Sequence, residues 1–201
     1  MSMLFDSPGT LRAVPMTMYT EQLIVRGTIH TSQHRVTDIL NQAQDPHLVL
    51  EDVTLEEYGS TDTPLRAEFA QVTLASVLVA VSLTPVEPLR ELRTPKVVER
   101  ALISVPPFRV IGHVHLLPER GLRASLGELH GAFLPVTDAT FWAERIGEAR
   151  QTVAFVAVNH ARAQVFAPFQ EVDPWAGVAR PAAAPPTDLA GEPLPEPPPA
   201  G

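Results

Sequence analysis

Two stretches of the chain alternate between two sides with a period of two residues. In residues 23–30 one side is apolar or small and the other carries polar groups, and residues 108–116 repeat the pattern. This period predicts half-buried β-strands. A glycine in the middle of each strand predicts a bulge, a bend or a close backbone approach. The apolar sides consist of Leu23, Val25, Gly27 and Ile29, and of Phe108, Val110, Gly112, Val114 and Leu116.

After each strand, apolar residues recur at helical spacing. They predict a short helix in each half, followed by two further strands. In the first half these strands fall in "HLVLEDVTLEEY" and "VTLASVLVAVSL", and in the second in "AFLPVTDATFWA" and "TVAFVAVNHARAQVFA". We expect "NHAR" to turn the last strand into a hairpin. The helix positions are Val36, Ile39, Leu40 and Ala43, and then Leu122, Leu126 and Leu129.

The two halves align with each other. The sequence "VRGTIH" begins at Val25 and "VIGHVH" begins at Val110, an offset of 85 that grows to 86 after one inserted residue. At the second offset Asp52 falls on Asp138 and Thr54 on Thr140. The ordered matches favour a tandem duplication, and the alternative is two unrelated strand–helix–strand units.

The prediction is therefore an α+β fold, built by tandem duplication of a β-α-β-β unit. We expect mainly antiparallel, curled sheets with one short helix each, related by a pseudo-twofold axis, because each unit alone is too small to bury a sufficient core. The expected segments are a flexible N-terminus (1–17), a first repeat (18–83), a linker (84–97), a second repeat (98–169) and a disordered tail (170–201). The tail holds nine prolines in 32 residues.

Composition narrows the function classes. The net charge of −8 disfavours nucleic acid as a partner, and there is no cysteine for a disulfide or a thiolate site. The longest apolar run, residues 153–158, is too short to cross a bilayer, and no signal peptide is evident. We expect no membrane insertion and a cytoplasmic location. One lysine against fourteen arginines indicates a GC-rich, bacterial genome.

Two motifs carry a resemblance. "RVTDILN" (Arg35–Asn41) and "FLPVTDA" (Phe133–Ala139) are similar to the R-(L/V)-(S/T)-D-x-L-N helix and the F-(L/I)-x-(L/V)-T-D-A strand of an uncharacterised bacterial domain family of unknown function. Each half departs where the other matches: the second has "LRASLG" in place of "VTDILN", and the first has "VLEDV" in place of "LPVTDA". The resemblance implies no activity and no functional residue.

The candidate ligand-binding residues are histidines. His113 and His115 lie two apart on one predicted strand, and His30 takes the place of His115 in the first half. A strand H-x-H with a third imidazole can bind zinc or another transition metal. The alternative is that all three lie on half-exposed strand faces and bind nothing. Asp52 and Asp138 are either an acid–base pair or strand-end residues that accept backbone N–H groups.

We identify no catalytic residue and no cofactor, because nucleophile elbows, phosphate loops and dinucleotide motifs are missing from the sequence. The sequence favours a non-enzymatic interaction or scaffold module that offers sheet edges to a protein partner or to its own copies. The Pro-rich tail would act as a tether. The alternative is a small-ligand sensor or a metal-dependent enzyme that uses a cleft between the repeats lined by His30, His113 and His115.

Overall fold

Antiparallel strands make up nearly all of the regular structure. The computed structural model describes residues 11–33, 35–82, 97–116 and 131–169. Within these ranges ten strands form one sheet, and the only α-helix is Val36–Asn41. The α+β prediction with a helix in each repeat is therefore wrong, and the fold is mainly β. The helix expected in the second repeat lies in residues 117–130, outside the described residues, as do most of the expected linker and the tail.

The strands follow from runs of β-branched and aromatic residues at alternating positions. Short 3₁₀ turns at Leu74–Ser76, Glu144–Ile146 and His160–Arg162 separate some of them. In chain order the elements are β1 (Arg12–Tyr19), β2 (Leu23–Thr31), α1 (Val36–Asn41), β3 (His47–Glu57), β4 (Leu65–Thr73), β5 (Val79–Ser82), β6 (Val97–Val105), β7 (Phe108–Leu116), β8 (Phe133–Ala143), β9 (Glu148–Asn159) and β10 (Val165–Pro168).

The sheet consists of two five-stranded repeats placed head to tail. Its strand order is β10-β6-β7-β8-β9-β5-β1-β2-β3-β4. In each repeat four strands form a meander and the fifth returns to pair with the first, so that β5 lies beside β1 and β10 beside β6. The repeats meet where β9 pairs with β5. A twofold axis would pair like with like, so the expected pseudo-twofold arrangement is wrong: the fourth strand of one repeat meets the fifth of the other.

The surroundings of the two mid-strand glycines are alike. In each repeat the ladder to the next strand shifts register at the glycine, and the aspartate opposite has a left-handed backbone, with φ of 50° at Asp52 and 47° at Asp138. A Cβ on Gly27 would meet Leu50, Glu51 and Val53, and a Cβ on Gly112 would meet the equivalent residues Val136, Thr137 and Ala139. Glycine is needed at both positions because the third strand crosses too closely for a side chain.

Four strands, β1, β4, β5 and β10, differ from the sequence prediction. Residues 12–17 belong to β1, although we expected a flexible segment up to residue 17 on account of its prolines. Pro15 fits because the pairing of β1 with β5 begins only at Met16. The strand predicted at residues 72–83 contains only the end of β4, then the 3₁₀ turn Leu74–Ser76 and β5, and most of β4 lies before it. The expected hairpin at "NHAR" is also wrong, because β10 crosses over to pair with β6.

Two apolar clusters fill the interior, and each draws on both repeats. The first joins β6–β9 of the second repeat to Tyr19, Ile24 and Val79 of the first. Tyr19 packs edge-on against Phe108 and Phe141, with ring centroids 5.6 and 5.2 Å apart. The repeats therefore share their core, and neither encloses its own.

Helix α1 lies over the second cluster. Val36, Ile39 and Leu40 are buried there together with Phe133 and Ala157 of the second repeat. At the end of the helix the Asn41 side chain accepts a hydrogen bond from the Phe133 backbone N–H and donates one to the Phe133 carbonyl, both 2.8 Å. The helix of one repeat is thus fixed to the first residue of a strand in the other.

Candidate functional site

The two end strands of the sheet, β4 and β10, each have one unpaired side in the described part of the chain. Strand β4 pairs with β3 on one side only, and β10 pairs with β6 on one side only. Among the described residues nothing pairs with their outer sides. An open strand edge carries free N–H and C=O groups in a row, and it can bind a further strand.

Both ends of the sheet also expose large apolar side chains. Leu65 and Phe69 on β4 are 70% and 65% exposed, and Val49 on β3 is 52% exposed. At the opposite end Val165 on β10 is 50% exposed, and Val97 and Val98 on β6 are exposed as well. Exposed apolar side chains beside an open strand edge mark a surface for protein association. We call the group Val49, Leu65, Phe69 the β4 edge. The β10 edge is represented by Val165, because Val97 and Val98 lie on β6 beyond the residues that pair with β10.

Between the two ends lies a strand junction of the same kind that is fully buried. At this inner junction β9 pairs with β5, with Val158 opposite Val79 and Ala157 opposite Ala80, and all four residues are buried. Asn159 reinforces it: its backbone N–H donates to the carbonyl of Leu78 (2.9 Å), and its side-chain amide donates to that of Val77 (2.8 Å).

A charged contact spans the same junction at its surface. Arg162, in the 3₁₀ turn after β9, donates to the Ala75 carbonyl (2.7 Å) and forms an ion pair with Glu21. Both partners belong to the first repeat. The junction therefore combines backbone pairing, buried apolar contacts and polar contacts at its end.

The predicted ligand histidines each contact a residue on a neighbouring strand. His30 Nδ1 lies 3.5 Å from Glu51 Oε2, and His113 Nδ1 lies 3.3 Å from Asp138 Oδ2. His115 Nε2 lies 2.9 Å from the Thr137 hydroxyl.

The structure places two of the three histidines on one strand and the third apart from them. His113 and His115 share β7, whereas His30 lies on β2, and four strands separate β7 from β2 in the sheet. In the described ranges no three His, Asp or Glu side chains come together as metal ligands. The role of these histidines as ligand-binding residues stays a prediction.

Asp52 and Asp138 lie in the middle of β3 and β8 at the register shifts, and not at strand ends. Four strands separate β3 from β8 in the sheet. Their shared left-handed backbone is their common feature, and an aspartate tolerates this conformation better than most residues.

Sequence reasoning missed the tyrosines at the repeat contact. The Tyr58 hydroxyl donates to the backbone carbonyls of Thr20 (3.0 Å) and Leu23 (3.3 Å), and burial, helped by the nearby Glu148 charge, raises its pKa above the usual 10.0. Burial likewise raises the pKa of Tyr19. Both phenols therefore stay neutral and act as packing and hydrogen-bonding groups. Their low number, two in the chain, was the only sequence signal.

Sequence reasoning also missed the apolar residues of the β4 edge. The alternation in "HLVLED" places Val49 on the other face of β3 from the buried Leu50, and this could have indicated an outward-facing valine. Phe69 gave no comparable signal, because a phenylalanine within a strand pattern is normally a core residue.

Comparison of the chain with protein-family models, curated proteins and solved structures gave no significant match. The family resemblance of the two short motifs stays a prediction. No helix in the described ranges has the length and apolar character needed to cross a membrane.

Proposed function

We propose that this chain is a non-enzymatic interaction module that binds protein through the end strands of its sheet. The observation that carries the proposal is the coincidence of open backbone and exposed apolar side chains at the β4 edge, with Phe69 65% and Leu65 70% exposed. A strand added there would gain main-chain hydrogen bonds and bury these side chains together.

The β10 edge supports the same role with a smaller surface. Strand β10 has four residues and ends in Pro168, which has no N–H to offer a partner. Strand β4 has nine residues and no proline. The longer strand is therefore the main binding edge.

The test is photo-crosslinking at chosen positions in cells that produce the full chain. A photoreactive residue at Phe69 should give a discrete crosslinked protein band. The matched control is the same residue at Asp62, which is exposed in the loop before β4. Equal labelling at the two positions, or none at Phe69, would overturn the proposed function.

A further inference from the structure

The inner junction and the two open edges are related by the repeat. Adding 86 to the residue numbers of β5 gives those of β10, and subtracting 86 from residues 151–159 of β9 gives those of β4. The strand pairings obey this shift: Leu48 opposite Val72 in β3 and β4 matches Leu134 opposite Val158 in β8 and β9. The open side of β4 is therefore equivalent to the side of β9 that pairs with β5. The open side of β10 is equivalent to the side of β5 that pairs with β9.

The backbone before β10 has the same geometry as the backbone before β5. The Leu78 N–H donates to Tyr19 and the Gln164 N–H donates to Ser104, each at 2.8 Å, and Ser104 is the equivalent of Tyr19. The preceding 3₁₀ turns also match: Val77 donates to Leu74 and Ala163 to His160, each at 3.1 Å. Strand β10 therefore already has the backbone geometry with which β5 pairs with β9.

Strands β3 and β4 carry the equivalents of the β8 and β9 residues that contact the first repeat. In the second repeat Phe133, Phe155 and Ala157 pack against the core of the first repeat. Their equivalents are His47, Phe69 and Gln71. Of these, Phe69 keeps the aromatic ring, yet it is 65% exposed where Phe155 is partly buried.

A second apolar residue stands beside Phe69 on this surface. Val49 is the equivalent of Pro135, and it lies directly opposite Gln71 in the β3–β4 ladder. Val49 and Phe69 therefore form an apolar surface in the place where the second repeat packs on its neighbour.

We infer that copies of this chain associate head to tail, with β4 of one copy paired to β10 of the next. In the inner junction Val158 lies opposite Val79 and Ala157 opposite Ala80. The equivalent register between two copies sets Val72 opposite Val165 and Gln71 opposite Phe166. Pro168 corresponds to Ser82, two residues past the last residue of β5 that pairs with β9, so its missing N–H is not needed. The inference rests on the proposed function and names the partner as the chain itself.

This association is heterologous, because two different edges meet. Such contacts close into a ring or continue as a filament, and they do not produce a twofold dimer. The new junction would be weaker than the inner one. The equivalents of Asn159, Arg162 and Tyr19 are Thr73, Ser76 and Ser104. The new junction therefore lacks the side-chain amide, the ion pair and the aromatic contact. We expect reversible, concentration-dependent assembly.

Cysteine pairing tests the register, since the chain has no cysteine of its own. A Gln71→Cys chain mixed with a Phe166→Cys chain under a mild oxidant should form a mixed disulfide. Directly opposed residues of antiparallel strands have Cα atoms about 4.5–5.5 Å apart, which suits a disulfide. An Asp62→Cys chain replaces the Gln71→Cys chain as the control. Disulfides between two Gln71→Cys chains at an equal rate would indicate twofold pairing and overturn the inference.

Sedimentation velocity of the full chain tests the energetics. The mass should rise with concentration, and Phe69→Asp should weaken the association at least tenfold. Leu11→Asp is the matched control, since it adds the same charge at an exposed leucine (63% exposed) that belongs to neither edge. Circular dichroism of both variants checks that they fold. A chain that stays monomeric at millimolar concentration, or equal weakening by both variants, overturns the inference.

The two proposals fail separately. If the purified chain is monomeric but the crosslink at Phe69 in cells contains a different protein, then self-association is wrong and the interaction module stands. If the crosslink is absent as well, both are wrong.

Discussion

The two repeats share their backbone geometry around the mid-strand glycines but not their exposed chemistry. Around Gly27 and Gly112 the register shift, the left-handed aspartate and the three contacting positions are all the same. On the exposed face the equivalent of His113 is Thr28, and the equivalent of Glu51 beside His30 is Thr137 beside His115. What both repeats keep is therefore what the fold needs, and the side chains beside the histidines are free to differ.

The repeats also differ in what covers their fourth strand. Strand β9 is covered by β5, and β4 has no such cover in the described part of the chain. Equivalent positions thus carry the partly buried Phe155 and the buried Ala157 in one repeat, and the exposed Phe69 and Gln71 in the other. Substitutions at equivalent positions in the two repeats measure how far this equivalence extends.

The largest effect is expected at the glycines. A Cβ at Gly112 would lie 2.6 Å from Val136 Cγ1, 2.9 Å from the Thr137 carbonyl oxygen and 3.0 Å from Ala139 Cα, whereas at Gly27 the three nearest atoms are 3.0–3.1 Å away. We expect Gly112→Ala to lower the free energy of unfolding by about 3 kcal/mol and Gly27→Ala by about 1.5 kcal/mol. Denaturant unfolding measures both. A larger cost at Gly27 would contradict the closer approach in the second repeat.

The next effect concerns Asn159 and its equivalent, Thr73. Asn159→Ala leaves the buried Val77 carbonyl without its donor and should cost about 2 kcal/mol, whereas Thr73→Ala at the open edge should cost less than about 0.5 kcal/mol. Thermal unfolding of the two variants at low concentration gives the comparison. Similar costs would mean that the inner junction is no more stabilising than the exposed edge.

A smaller effect belongs to Tyr58, whose equivalent in the second repeat is Glu144. Tyr58→Phe removes the hydrogen bonds to Thr20 and Leu23 and should cost about 1 kcal/mol at neutral pH.

The pH dependence of this effect has a defined sign. The pKa of Tyr58 is higher in the folded protein than its ordinary value of 10.0, so the unfolded chain ionises first. The stabilisation by the neutral phenol is complete below pH 10 and is lost as the pH rises above it. The free energy of unfolding, measured from neutral pH upward, should fall less steeply for Tyr58→Phe than for the natural chain. A steeper fall in the variant would show that the phenol ionises readily in the folded state.

The smallest effect is expected at the left-handed aspartates. Asp52→Gly should stabilise the protein by about 0.5 kcal/mol, because glycine adopts positive φ without strain and this outweighs its greater freedom when unfolded. At Asp138 the gain should be smaller, since the substitution also removes the exposed contact with His113. Chemical denaturation of the two variants provides the comparison. Loss of stability at Asp52 would show that its carboxylate holds the bulge.

The sequence could predict the strands that alternate and the stretches that follow them. Strands β2 and β7 lie where the period of two placed them, and β3 and β8 lie in the stretches expected to follow the helix positions. Strand β1 was missed because Pro15 resembles a strand breaker, and only its position past the end of the β5 pairing makes it acceptable. The break between β4 and β5 was missed because the apolar run continues through the 3₁₀ turn.

The strand order and the candidate site lay outside the reach of sequence patterns. The partners of β5 and β10 are decided by packing across the whole sheet, and no local signal says that Val79 faces Val158. The exposure of Phe69 follows from that order, since its twin Phe155 is covered only because a second repeat lies beside it. The sequence shows the spacing of the histidines, but it does not show that four strands separate β2 from β7 in the sheet.

Asn41 has a consequence for any attempt to divide the chain. Its carboxamide carries one donor and one acceptor in a plane, as a peptide group does, and it meets both polar groups of Phe133. A helix side chain thereby supplies the hydrogen bonds that a neighbouring strand would normally give. Cutting the gene between its halves would deprive β8 of this surrogate peptide, so that an excised second half would begin one of its strands with an unsatisfied residue.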